Sequence, residues 1–146
     1  MHRFADIPPV WTLGLGFAAW GLARVLPFWR FGWGWLPGIV LILAGFGLAI
    51  WAIIWFARKD TSIRVEDKPS ALVIEGPYRL NRNPMYTGLT LILAGWALWL
   101  GALSALIPAI ALPILLTKRF IEGEEAGLRA KFGADAERFF ARTRRW

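Results

Sequence analysis

The chain has 146 residues, 57% of them hydrophobic, with ten Trp, ten Phe and a formal charge of +7; its mean hydropathy is +0.47. The apolar residues fall in long blocks instead of the short alternating runs of a soluble core, which marks an all-α integral membrane protein. With no cysteine and a single histidine, His2, the chain lacks the groups for a disulfide, a zinc site with Cys or His ligands, a cysteine nucleophile or a histidine triad.

The first apolar block, residues 10–28, follows a short polar piece and reads as a transmembrane helix. Asp6, Pro8 and Pro9 interrupt the basic lead-in that a secretory signal would need. Arg24, near the far end, can snorkel its long stem to the interface. Trp29, Trp33 and Trp35, in the turn WRFGWGWLP, suit headgroup depth. A second span covers residues 36–57 without a charge, and its Ala44, Gly45 and Gly47 allow a helix or an acyl chain close to the backbone. Residues 1–57 thus form two transmembrane helices and 58–85 a polar loop. In that loop ALVI, at 71–74, is β-prone but isolated, an extended piece along the interface. Residues 86–116 hold two apolar stretches of about 15 residues, each roughly 22 Å long at the helical rise and short of a ~30 Å hydrocarbon core. They predict a tight hairpin turning at Gly101, tilted or thinning the bilayer, with Pro108 and Pro113 kinking its second arm.

With four spans, fifteen of the 17 Lys and Arg fall on one side, leaving Arg24 and Arg30 on the other. The positive-inside rule then places both ends and the central loop in the cytoplasm, at a bacterial inner membrane or, in a eukaryote, the endoplasmic reticulum. Because the basic residues flank apolar blocks, their partners are anionic lipid headgroups and not nucleic acid. No obligate protein partner is implied.

Residues 117–146 read as a cytoplasmic amphipathic helix, broken near Gly133, with Ile121, Leu128 and Phe132 on its apolar stripe. Glu124 and Glu125 precede Leu128 by four and three residues and lie on or beside that stripe. Two adjacent carboxylates facing apolar surroundings require a cation. It is either a structural arginine, such as Arg79, Arg82 or Arg145, or a bound cation.

The stretch EGPYRLNRNPMYTG, residues 75–88, sets Arg79 and Arg82 against the start of the third helix, with Asn83 as N-cap and Pro84 as first helical residue. Cations and unpaired N–H groups at a lipid boundary can hold an anionic or zwitterionic molecule. They also satisfy the positive-inside preference without binding anything.

Gly76, Pro77, Tyr78 and Arg79, then Arg82, Asn83, Pro84, Tyr86 and Gly88, resemble the signature of the isoprenylcysteine carboxyl methyltransferase family and the related membrane phospholipid methyltransferases. Glu124, Glu125, Leu128, Phe132, Gly133 and Arg145 are similar to the family's second signature. The resemblance covers roughly the second half of the chain and implies one methyltransferase domain that uses S-adenosylmethionine and no metal. By that resemblance Arg79, Arg82, Asn83, Pro84, Tyr86 and Gly88 bind the cofactor's carboxylate side, and Glu124 and Glu125 its ammonium and ribose side. Arg145 would steer an acceptor carboxylate, and Glu125 is the candidate to take a proton from an amine. The implied acceptor is lipophilic and membrane-embedded: an isoprenylcysteine-like carboxylate first, a phospholipid amine as the alternative. A non-catalytic scaffold or lipid-binding protein is the reading outside enzymes. Asn83 stands where eukaryotic-type enzymes carry His, and Ala136, Phe139 and Arg144 replace two tyrosines and a proline of the second signature. The cofactor site is therefore better matched than the acceptor site.

Overall fold

The structure is a computed structural model that describes residues 6–59 and 72–146. His2, Arg3 and residues 60–71 of the central loop lie outside the described residues.

All regular elements among the described residues are helical, apart from one isolated bridge between Arg30 and Ala102. Helix α1 (Pro8–Val25) begins on two prolines, whose missing N–H groups need no partner in a first turn, and gives way at Leu26. The following Pro27 disfavours helical backbone there, so the helix ends three residues short of the expected boundary. Helix α2 (Trp35–Arg58) covers the second apolar block. Helix α3 (Pro84–Leu100) stops at Gly101, whose φ of +68° lets its N–H turn back to Ala97 O and Leu98 O.

The second arm differs from expectation. A short 3-10 turn (Leu103–Ala105) enters α4 (Leu106–Leu116), which does not end there. Five π-helical residues (Thr117–Ile121) run straight into α5 (Glu122–Phe132), giving one rod, Leu103–Phe132. Pro108 falls in the first turn of α4 and Pro113 inside it. The missing N–H of Pro113 weakens the ladder just ahead of the π turn, where it is re-registered instead of broken. Gly133, at φ +52°, separates α5 from α6 (Ala134–Arg142). Of the expected extended piece, residues 72–74 carry no regular structure and Val73 is buried near Ala52, Tyr78 and Phe139; Ala71 lies outside the described residues.

Two helices, Trp35–Arg58 and Leu103–Phe132, are long and apolar enough to cross a membrane. The 18 and 17 residues of α1 and α3 reach roughly 27 and 25 Å. The main core lies between α1, α3 and α4, where Ala19, Leu93, Ala97, Leu112 and Leu116 are sealed from solvent. Helix α2 packs on α3 by a different device. Gly38 faces Gly95 and Gly45 faces Gly88, a seven-residue step on two antiparallel helices; a Cβ on Gly45 would lie 2.5 Å from Gly88 O. With no side chain between them the backbones touch directly. Gly47, by contrast, faces open space, and Ala44 is exposed. Gly45→Val should therefore force the helices apart at a cost of about 2–3 kcal/mol, seen as a lower thermal-unfolding midpoint. Gly47→Val should leave that midpoint unchanged or slightly raised, since it adds no clash and removes a flexible residue. The outer face of α2 stays apolar, with Val40, Leu43, Phe46, Ile50 and Ile54 exposed, a continuous patch suited to lipid.

The two ends of the bundle differ in character. At one, the Arg30 guanidinium caps α1 by donating to Ala23 O at 2.6 Å, and Arg24 lies over the Trp20 ring. At the other, Arg119 donates to Asp6, beside the start of α3 and the tail. The candidate site is at this second end.

Candidate active site

The site is built on the turn Gly76–Arg79 and the start of α3. Gly76 is required twice over: its φ is +61°, and a Cβ there would lie 2.2 Å from the Trp55 indole nitrogen. Seated on that ring, the turn buries Tyr78 edge-on against Phe56 and points Arg79 outward, where it is exposed. Arg79 joins no ion pair among the described residues.

Asn81, which sequence reasoning passed over, organises the next step. Buried to 6% exposure, its Oδ1 accepts the Asn83 N–H at 2.9 Å and its Nδ2 donates to Thr87 Oγ1 at 3.1 Å. An Asn two residues before an Asn-Pro helix start is an Asx-turn signal that the sequence carried. Asn83 is the N-cap and Pro84 follows it, but the Asn83 side chain makes no cap bond. Its Nδ2 donates instead to Arg145 O at 3.0 Å, tying the motif to the end of the chain. Gly88 sits in the α2–α3 seam described above, which accounts for the glycine by packing.

Arg82 enters the middle of the cluster. Its backbone N–H donates to Arg144 O at 2.8 Å, its guanidinium lies 4.7 Å from the centre of the Phe140 ring, and its Nη1 is 3.3 Å from Glu125 Oε1. Arg129 lies at the same distance from that ring. Arg145 grips Glu125 with both prongs, Nε to Oε1 at 2.9 Å and Nη2 to Oε2 at 2.8 Å. Glu125 is thus a buried carboxylate shared by two arginines. Burial opposes its charge, but the hydrogen bonds from Arg145 and the charges of Arg82, Arg145 and Arg129 outweigh that and hold its carboxyl below the usual range.

Glu124 has the opposite environment. The Tyr86 hydroxyl donates to it, and among the described residues no Lys or Arg pairs with it. Burial, assisted by the charge of Glu125 and only partly offset by the Tyr86 bond, pushes its carboxyl up to about 7. The π-helical turn before α5 contributes to this division: one inserted residue rotates everything beyond it by about 100° relative to α4. Glu124 and Glu125 thereby face the start of α3. One further group is unsatisfied, the buried Nε of Arg82, which has no hydrogen-bond partner. Glu124 lacks a cationic partner among the described residues, while the Arg82 guanidinium is committed to Glu125.

The sequence-predicted residues thus divide. Arg82, Asn83, Tyr86, Glu124, Glu125 and Arg145 converge, with Pro84 buried beneath them. Arg79 stands apart, and Gly88 belongs to the helix seam.

The profile of the phospholipid methyltransferase family matches residues 33–135, a span that holds the 76–88 motif and both carboxylates. An uncharacterized protein of Haemophilus influenzae is 39% identical over 62 residues, 42% of this chain and 98% of that protein. No solved structure matches significantly. The chain belongs to the phospholipid methyltransferase family.

Proposed function

We propose that the protein transfers methyl groups from S-adenosylmethionine to the amine headgroup of a phospholipid. In this reading α1, α2, α3 and residues 103–121 of the rod all span the bilayer, with α5 beyond it, and the polar end of the bundle faces the cytoplasm, as the distribution of Lys and Arg supports. The observation that carries the proposal is the contrast within the carboxylate pair: Glu125 is held by Arg82 and Arg145, whereas Glu124 accepts from Tyr86 and has no Lys or Arg partner among the described residues. An ammonium would give Glu124 its missing counter-charge and the neighbouring arginines would attract a carboxylate on the same carbon, the two charges of the zwitterionic part of S-adenosylmethionine. When bound, that cofactor supplies an electrophilic methyl on sulfur.

The chain's own residues do the rest. Tyr86 holds Glu124 in place through its hydroxyl. Glu125, neutralised by Arg82 and Arg145, is a poor proton acceptor, so the role foreseen for it with an amine substrate is not supported by its surroundings. An amine must still lose a proton before it can attack. Arg82, Arg129 and Arg145 oppose an amine's protonation only in part, because Glu125 and Glu137 offset them. The same arginines also favour an acceptor carboxylate, which needs no base at all, so O-methylation of an isoprenylcysteine-like molecule is the second reading.

Methyl transfer from labelled S-adenosylmethionine into vesicles containing phosphatidylethanolamine or a prenylated cysteine decides between them. Alkali-stable label in the phospholipid is expected. Alkali-labile label in the prenylcysteine would establish the ester reading, and no transfer to either would contradict both.

A pH dependence follows from Glu124. Its carboxyl titrates near 7, and only the ionised form attracts an ammonium. Cofactor affinity should fall as pH drops through that value, to about one tenth between pH 8 and pH 6. Calorimetry of S-adenosylhomocysteine across this range checks it, and Glu124→Gln should remove the slope along with most of the binding.

A further inference from the structure

Residues 143–146 lie beyond the part matched by the family profile and have no regular secondary structure, yet they are fastened at four points. Arg144 O accepts from the Arg82 N–H, Arg145 O accepts from Asn83 Nδ2, and the Arg145 guanidinium grips Glu125. The fourth point lies on a different element. Trp146 Nε1 donates to Thr117 Oγ1 at 3.2 Å, and the indole packs against the main core. Thr117 has one hydroxyl proton, directed at Pro113 O at 2.8 Å, so its oxygen is left to accept. Thr117 is also the first residue of the π-helical turn. The strap is therefore hooked to the rod about two turns ahead of the carboxylate it helps to neutralise.

We infer that Trp146 is a positioning residue: hooked on Thr117, it holds Arg145 against Glu125 and so keeps Glu124 open to a cationic ligand. Without the hook, Arg145 is free to leave Glu125 or to swing to Glu124, and either move spoils the division between the two carboxylates. The groups that face the pair are Arg82, Tyr78 and Tyr86 from the motif and α3, Arg129 and Glu122 from α5, and Arg145 itself. Of these, only Arg145 is carried by the strap.

The inference rests on the methyltransferase reading above for its ligand, but one measurement needs no ligand. Trp146→Phe keeps an aromatic ring against the core and loses the indole N–H. Hydrogen exchange at the Arg82 amide, which bonds Arg144 O, should accelerate about tenfold in this variant and in Thr117→Val. In the presence of S-adenosylhomocysteine, Trp146→Phe should weaken binding about fivefold and displace the midpoint of its pH dependence. Combined with Arg145→Met, it should add no further loss, since Trp146 acts through Arg145. Unchanged Arg82 exchange would overturn the hook. Losses that add independently, with an unmoved pH midpoint, would reduce Trp146 to packing. Accelerated exchange in a protein that binds no S-adenosylhomocysteine would keep the hook and sink the cofactor assignment.

Discussion

Glu124→Gln should lower methyl transfer and S-adenosylhomocysteine affinity at least a hundredfold while leaving the fold at full stability. The substitution preserves shape and the capacity to accept the Tyr86 hydroxyl, so the local hydrogen bond survives. It removes the negative charge that a cofactor ammonium would need, and a charge-assisted hydrogen bond in a partly buried site is worth several times a neutral one. Stability should move the other way. A carboxyl raised to about 7 in the folded chain binds more protons folded than unfolded between the ordinary carboxylate range and that value. Its presence therefore reduces stability as pH rises through this window, and the loss is complete above it. Glutamine has no such proton to lose, so at pH 8 the variant should unfold at the same temperature as the parent or a higher one. A variant that binds poorly because it is misfolded would show the opposite, and thermal unfolding in detergent beside the binding assay separates the two.

Its neighbour should behave in reverse. Glu125→Gln leaves Arg82 and Arg145 crowded around a neutral amide, with the Arg82 side chain only 15% exposed and that of Glu125 6%. Removing one member of such a cluster costs about 3 kcal/mol, because Arg82 loses its compensation while staying largely out of water, whereas Arg145, 36% exposed, can turn to solvent. The unfolding midpoint should fall sharply. Glu137→Gln makes the control: it breaks the pair with Arg129, whose side chains are 49% and 59% exposed, and should cost less than about 1 kcal/mol. If Glu125→Gln proves as mild as Glu137→Gln, the buried cluster does not exist as described. Adjacent carboxylates with opposite phenotypes, one functional and one structural, are the signature expected of this site.

How much of this was legible in the sequence differs from residue to residue. Local backbone chemistry could be read directly. Gly101 and Gly133 take positive φ where helices end, and Pro84 opens α3. The inward placement of Glu124 and Glu125 followed from helical spacing against Leu128. What the spacing could not reveal was which carboxylate would keep its arginines. That depends on Arg145 returning from the end of the chain and on a π-helical turn that propensity does not signal. The continuation of α4 into α5 was missed for a related reason: Lys118 and Arg119 read as the end of a span, yet charged residues end a membrane span without ending a helix. Gly88, read as a cofactor contact on the strength of the motif, turns out to face Gly45 across the seam. The partner glycine was visible in α2, but nothing in either helix alone specified the register. Asn81 and Trp146 escaped notice because their bonds run to backbone and to a threonine, with no charge pattern to betray them.

The most direct measurement is calorimetric titration of S-adenosylmethionine into the detergent-solubilised, lipid-supplemented protein at pH 8. Saturable binding of one cofactor per chain, lost in Glu124→Gln and retained in Glu137→Gln, is the result expected if Glu124 and Arg82 form the cofactor site. Absence of heat and of any thermal stabilisation in folded parent protein would contradict a cofactor site here. Binding that survives Glu124→Gln would place the cofactor elsewhere in the chain.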